Sequence, residues 1–183
     1  MLALLRRRPH ERAGFTLYGH AVAQARSPHY FVAVGVPDTL DGRFDMVALF
    51  AFLLVDRLRA EDSAAGRALA QAVFDAMFAD MDQNLRQMGV GDLSVAKRVK
   101  TMWTAFNGRC HAYTDALAQG APQALDDALA RNVWRAEALP PGAAALAAEL
   151  RAQRRHLAGQ PIAALASGQA QFLPAGFLPA GAA

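Results

Sequence analysis

The side chains that could do chemistry in this chain are few and scattered. Of the five histidines, His10, His20, His29, His111 and His156, no two stand three or four positions apart. No pair therefore shares a helix face as metal ligands on one helix would. The single cysteine, Cys110, adjoins His111. Neighbouring positions on a helix diverge by about 100°, so the two would not converge on one ion, and the thiol reads as a small packed hydrophobe. Asp80 and Asp82 diverge in the same way and make a poor acid–base pair. Asp38 and Asp41 read as turn and cap residues. The chain has no phosphate-cradling loop, dinucleotide fingerprint, HExxH, CxxC or GxSxG motif. Nothing assembles a nucleophile, a base and a group to orient them. The residues point to a helical binding module rather than an enzyme, with no catalytic, metal or cofactor residues expected.

The composition says what must position these groups. Over 183 residues the chain is 54% apolar and 19% charged, which excludes a disordered polymer. Alanine accounts for 42 residues and favours helix over any alternative. The longest apolar run, 46–55, has ten residues, about half of the ~20 that cross a bilayer. At the N-terminus the leucines precede Arg6–Arg8, the reverse of a secretory signal. A lone cysteine fits a reducing compartment. The expected location is the cytoplasm. The net charge of +3 is unevenly spread: residues 36–92 carry −5, and residues 93–114 carry +4 with no acid. Such blocks complement one another on one surface or offer a basic face to an acidic partner. Without an aromatic RNA-binding signature, no specific nucleic acid is expected.

The hydrophobic pattern predicts an all-α, single-domain bundle of about six helices. They span about 11–26, 43–59, 63–88, 95–119, 122–138 and 143–158. The β-branched stretch 29–37 reads as an extended connector. The helical domain covers 1–160. Residues 161–183 form an irregular tail with two Phe-Leu-Pro units, laid over the body through its Phe and Leu side chains. Asp41 is expected to cap the helix from 43, Asp62 or Ser63 the next, and Asp92 or Ser94 the one after. Gly89 should stop the helix that ends near Met88.

Two helices show ordinary apolar stripes: Phe74, Met77, Phe78, Met81, Leu85 and Met88 in one, and Val95, Val99, Met102, Trp103, Phe106, Cys110, Tyr113 and Leu117 in the other. Asp82 precedes Arg86 by four, the favourable order for an ion pair. The helix 43–59 differs. Beyond one face of Phe44, Val47, Ala48, Ala51, Val55 and Leu58, it also carries Met46, Leu49, Phe50 and Leu53. A helix apolar all round is either buried centrally or offers a second face to a partner.

The run from Phe74 to Lys100, centred on Asp80-Met81-Asp82-Gln83-Asn84-Leu85-Arg86-Gln87-Met88-Gly89-Val90-Gly91-Asp92, resembles the signature of the ubiquinol–cytochrome c chaperone family. The resemblance continues through Phe106-Asn107-Gly108-Arg109 and Tyr113. It reaches back to Tyr30 and Asp41-Gly42-Arg43-Phe44-Asp45, so that it covers about 27–117. Gln87 departs from the pattern, where Glu is common. The resemblance implies an all-helical, non-enzymatic assembly factor for the cytochrome bc complex (complex III). Its client is newly made cytochrome b. It implies a small assembly partner protein and peripheral contact with the inner membrane, and leaves ribosome contact open. Partner-binding candidates are Met46, Leu49, Phe50 and Leu53 on the apolar helix, Asp80, Asp82, Arg86, Asp92, Lys97 and Lys100 around the Gly89 corner, and Arg98 and Arg109 on one flank of the following helix. Two alternatives stand beside this. One is a peripheral membrane adaptor anchored by Leu2, Leu4, Leu5 and Arg6–Arg8. The other is a haem binder using Cys110, His111 or a methionine.

Overall fold

A computed structural model describes residues 9–177. Among them, helices α1 (Pro9–Ala25), α2 (Pro28–Val32), α3 (Leu40–Arg59), α4 (Ala64–Gln87), α5 (Asp92–Ala118), α6 (Pro122–Leu129), α7 (Ala143–Ala158) and α8 (Ile162–Ala166) follow one another with no strand. A π-helical turn, Ala130–Trp134, continues α6. The all-α expectation holds. The apolar–arginine N-terminus and the second Leu-Pro of the tail lie outside the described residues.

α3 is the centre of the bundle. Met46 and every residue from Ala48 to Val55 are buried. The helix is surrounded by α1, α4, α5, α7 and the π-turn. The all-round apolar sequence thus answers to central burial, and Met46, Leu49, Phe50 and Leu53, each at most 1% exposed, present no face to a partner. This corrects their assignment as a contact surface. Polar ties close the far end of α3: Arg154 on α7 lies 2.8 Å from Asp56, and Arg57 donates to the carbonyls of Leu157 and Gln160.

Helix starts depart from expectation in instructive ways. Thr39, not Asp41, caps α3, its hydroxyl accepting from Gly42 N–H at 3.1 Å. Asp41 falls in the first turn, where its carboxylate still meets the positive helix end. Ser63 caps α4 in the same geometry at 2.9 Å. Gly91 holds the N-cap of α5 and, being glycine, offers no side-chain cap, while Asp92 stands in the first turn and pairs with Arg86. The end of α4 is as predicted. Gly89 has φ +79°, Val90 N–H bonds Leu85 O, and Gly89 N–H bonds Arg86 O, the paired bonds of a Schellman stop.

The connector 29–37 is only partly extended, since Pro28–Val32 forms a helical turn. An extended segment would bury Tyr30, Val32, Val34 and Val36 on one face. The turn buries Tyr30, Val34 and Val36 and leaves Val32 84% exposed. The helix expected to reach 138 stops at Trp134, where Arg135 takes a left-handed conformation with φ 55°. Trp134 Nε1 donates to Gly35 O at 2.8 Å. The tail segment 161–183 contributes α8 and then an irregular stretch whose Phe172 ring packs edge-on against Phe50 at 5.3 Å.

α1 and α4 pack closest at Gly14, where a Cβ would lie 2.6 Å from the Ala72 backbone. Gly14→Ala should therefore destabilise by about 1–3 kcal/mol through overpacking. Gly19, on the same helix with open space around it, should stabilise by about 0.5–1 kcal/mol when changed to Ala. Urea denaturation of both variants checks the pair, and equal effects would contradict the close approach.

Candidate functional site

The charged corner forms where α4 turns into α5. Arg86 on α4 reaches Asp82 one turn back, Nε to Oδ2 at 2.5 Å, and also pairs with Asp92 at the start of α5. One guanidinium thus staples the two helices across the Gly89 turn. Arg86 is drawn further toward its charged form by its bonds to Asp82 and then Asp92. Asp80 is engaged elsewhere: it accepts the Tyr18 hydroxyl of α1 at 2.7 Å. Burial first, and the Asp80 bond second, raise the Tyr18 pKa well above that of a free phenol. Asp80, Asp82, Arg86 and Asp92 are therefore occupied in holding α1, α4 and α5 together.

Lys97, Arg98 and Lys100 are different. All three are exposed on α5 and make no ion pair among the described residues. Trp103, one turn beyond Lys100, is 48% exposed. The sequence stripe placed it in the core, but Val95, Phe106 and Tyr113 take that face and leave the indole on its flank. Met88, read as the last member of the α4 stripe, is 54% exposed at the helix end. Three of the four cations of segment 93–114 thus stand in solvent: Lys97 and Lys100 share one side of α5 with Trp103 at its edge, and Arg98 lies on the opposite flank.

Arg109 belongs to another structure. Its guanidinium is 15% exposed and lies 2.7 Å from Asp45 of α3, a carboxylate 1% exposed. It also sits over the Phe44 ring at 5.7 Å. Arg135, just past the π-turn, reaches the other oxygen of Asp45 at 2.8 Å. One buried carboxylate joins α3, α5 and the end of the α6 segment. Burial pushes the Asp45 pKa up from the ordinary 3.8, opposed first by Arg109 and then by Arg135. Arg109, expected to contact a partner, is enclosed in this cluster. Sequence reading missed Asp45 and Arg135 as a pair with it. The available signal was an acid inside the most apolar helix, which needs a cation when buried. Nothing in the sequence around Arg135 marks it.

Reactive chemistry is not gathered at any of these places. Among the described residues no three His, Cys, Asp or Glu are placed to hold a metal ion. Cys110 is half-buried, and burial pushes its thiol up to about 12, so it is not a thiolate nucleophile at neutral pH. No helix among the described residues is long and apolar enough to cross a membrane.

The family pattern described as ubiquinol-cytochrome C chaperone matches residues 32–172. The chain belongs to the ubiquinol–cytochrome c chaperone family. Its fold is also that of a solved structure, the Cbp3 homolog from Brucella abortus, with a TM-score of 0.82 and 36% identity. The two correspond over 98% of this chain and 100% of the other. No match was found among curated proteins. The family match runs beyond the sequence resemblance of 27–117 to include Arg135, α7 and Phe172. Both ends of the buried Asp45 cluster therefore lie within the family region.

The titration of Asp45 gives a sign-specific test. Its native pKa exceeds its unfolded one, so what its protonation adds to stability is fully present below about pH 4 and is lost as pH rises through the native value. Removing Arg109 raises that native value further. Arg109→Met should cost about 3 kcal/mol at pH 7, the usual result of leaving a buried charge short of a partner. The cost should shrink as pH falls toward 4. A cost that does not change with pH in urea titrations would contradict the cluster.

Proposed function

We propose that this chaperone binds newly synthesised cytochrome b and delivers it to the cytochrome bc complex. The observation that carries this reading is the family match over 32–172 together with 36% identity to the Brucella Cbp3 homolog along nearly the whole chain. The contact assigned to the client is the exposed side of α5 that bears Lys97 and Lys100, about 60° apart, with Trp103 at its edge; Arg98 is exposed on the opposite flank, about 160° from Lys100. These cations are not used in holding the fold, and an exposed indole beside them supplies apolar area at low conformational cost. A small assembly partner and a station at the cytoplasmic face of the inner membrane belong to the same proposal.

Charge reversal separates this face from the stapled corner. Lys97→Glu with Lys100→Glu should leave thermal stability nearly unchanged, since neither side chain is buried or paired. A photo-crosslinker at Trp103 should capture cytochrome b in cells, and the double reversal should reduce that capture at least tenfold. Undiminished capture would remove α5 as the contact. A normally assembled bc complex in cells without the gene would remove the function.

A further inference from the structure

The tail is held in an unusual way. Gln153 of α7, 2% exposed, makes a two-point contact with the backbone of Leu173. Its Nε2 donates to Leu173 O at 2.8 Å, and its Oε1 accepts Leu173 N–H at 2.8 Å. Gln160, one and a half to two turns further on, does the same to Gln171, at 2.6 and 3.0 Å. Gln24 of α1 adds a second donor to Leu173 O at 3.0 Å. Buried Glu149 accepts Gly176 N–H at 3.1 Å, its other oxygen 2.7 Å from His29 Nε2. Residues 171 and 173 thus turn both backbone groups to one side, as a strand does toward a neighbouring strand. The glutamine amides take the neighbour's place. Between them only Phe172 is read by its side chain, against Phe50.

This is recognition of an extended backbone with one aromatic anchor, the logic of strand addition. Burying a glutamine amide is costly unless its donor and acceptor are both satisfied, and an extended peptide satisfies both whatever its other side chains. We propose that the groove bounded by α1, α2 and α7 is a binding site for extended polypeptide. Residues 171–176 are its exchangeable occupant, and an unfolded, aromatic-bearing segment of a client competes for it. The chaperone reading supplies the natural competitor; the groove itself is defined by the tail seated in it.

The test uses the full chain and a fluorescein-labelled peptide with the sequence of residues 169–177, followed by anisotropy. Phe172→Ser, which loosens the tail, should bind the peptide at least tenfold more tightly than the unmodified chain. The same peptide N-methylated at its Leu173 amide should lose at least tenfold. No binding by the variant, or equal binding of the methylated peptide, overturns the proposal. Hydrogen exchange on the unmodified chain gives an independent reading that needs no variant. The Gln171 and Leu173 amides should exchange at least a hundredfold faster than those of α3, and exchange only together with α3 overturns it. No cytochrome b enters these assays. A bound peptide beside a dispensable gene would sink the cytochrome b reading alone, and the reverse result would sink the groove alone.

Discussion

A carboxylate that is almost wholly buried sits near the start of the most apolar helix in this chain, and the rest of the bundle is arranged to accommodate it. Asp45 is met by Arg109 from α5 and Arg135 from beyond the π-turn. Its pKa is nonetheless raised, because burial outweighs both cations. Such a cluster is weak as a source of stability. Its effect is geometric, because the two guanidinium groups tie α5 and the end of the α6 segment to one carboxylate of α3. Arg135 leaves the helical conformation for a left-handed one at that point, and the helix ends there.

The other charged corner works on the surface and for the opposite reason. Arg86 bridges Asp82 and Asp92 in water, where each pair contributes little by itself. The turn between α4 and α5 is already set by the Gly89 stop, so the pairs add orientation to a connection the backbone has chosen. With the acids of the corner engaged, Lys97, Arg98 and Lys100 of α5 make no ion pair among the described residues. The basic face arises because the surrounding acids are committed to the fold.

The fold was legible where local rules act alone. Alanine content and apolar spacing gave the long helices nearly to the residue at α7 and to within a turn elsewhere, and Gly89 marked its stop. Long-range demands were harder to read. The N-cap of α5 fell at Gly91, one position before the expected Asp92, which pairs with Arg86 from the first turn. A segment whose β-branched residues argued for extension instead coils over Pro28–Val32 and leaves Val32 in solvent. The apolar helix 43–59 left two readings open, and only the positions of five neighbouring elements decided that its second face is core. For the site, the sequence motif located the α4–α5 corner. It could not separate residues that hold the corner, such as Asp80 and Arg86, from those left facing solvent, such as Lys97 and Lys100. That distinction depends on partners distant in the chain, Tyr18 among them.

One core thus carries both the exposed Lys97 and Lys100 of α5 and the glutamine-lined groove that holds the tail. The client we propose for them is cytochrome b in the interval before assembly. The most direct measurement is a pulse of labelled amino acid, followed at intervals by isolation of this chaperone from cells. Labelled cytochrome b should be recovered with it within the first minutes and then move into the bc complex during the chase. Labelled cytochrome b that reaches the complex on the same schedule without ever accompanying the chaperone would contradict the account.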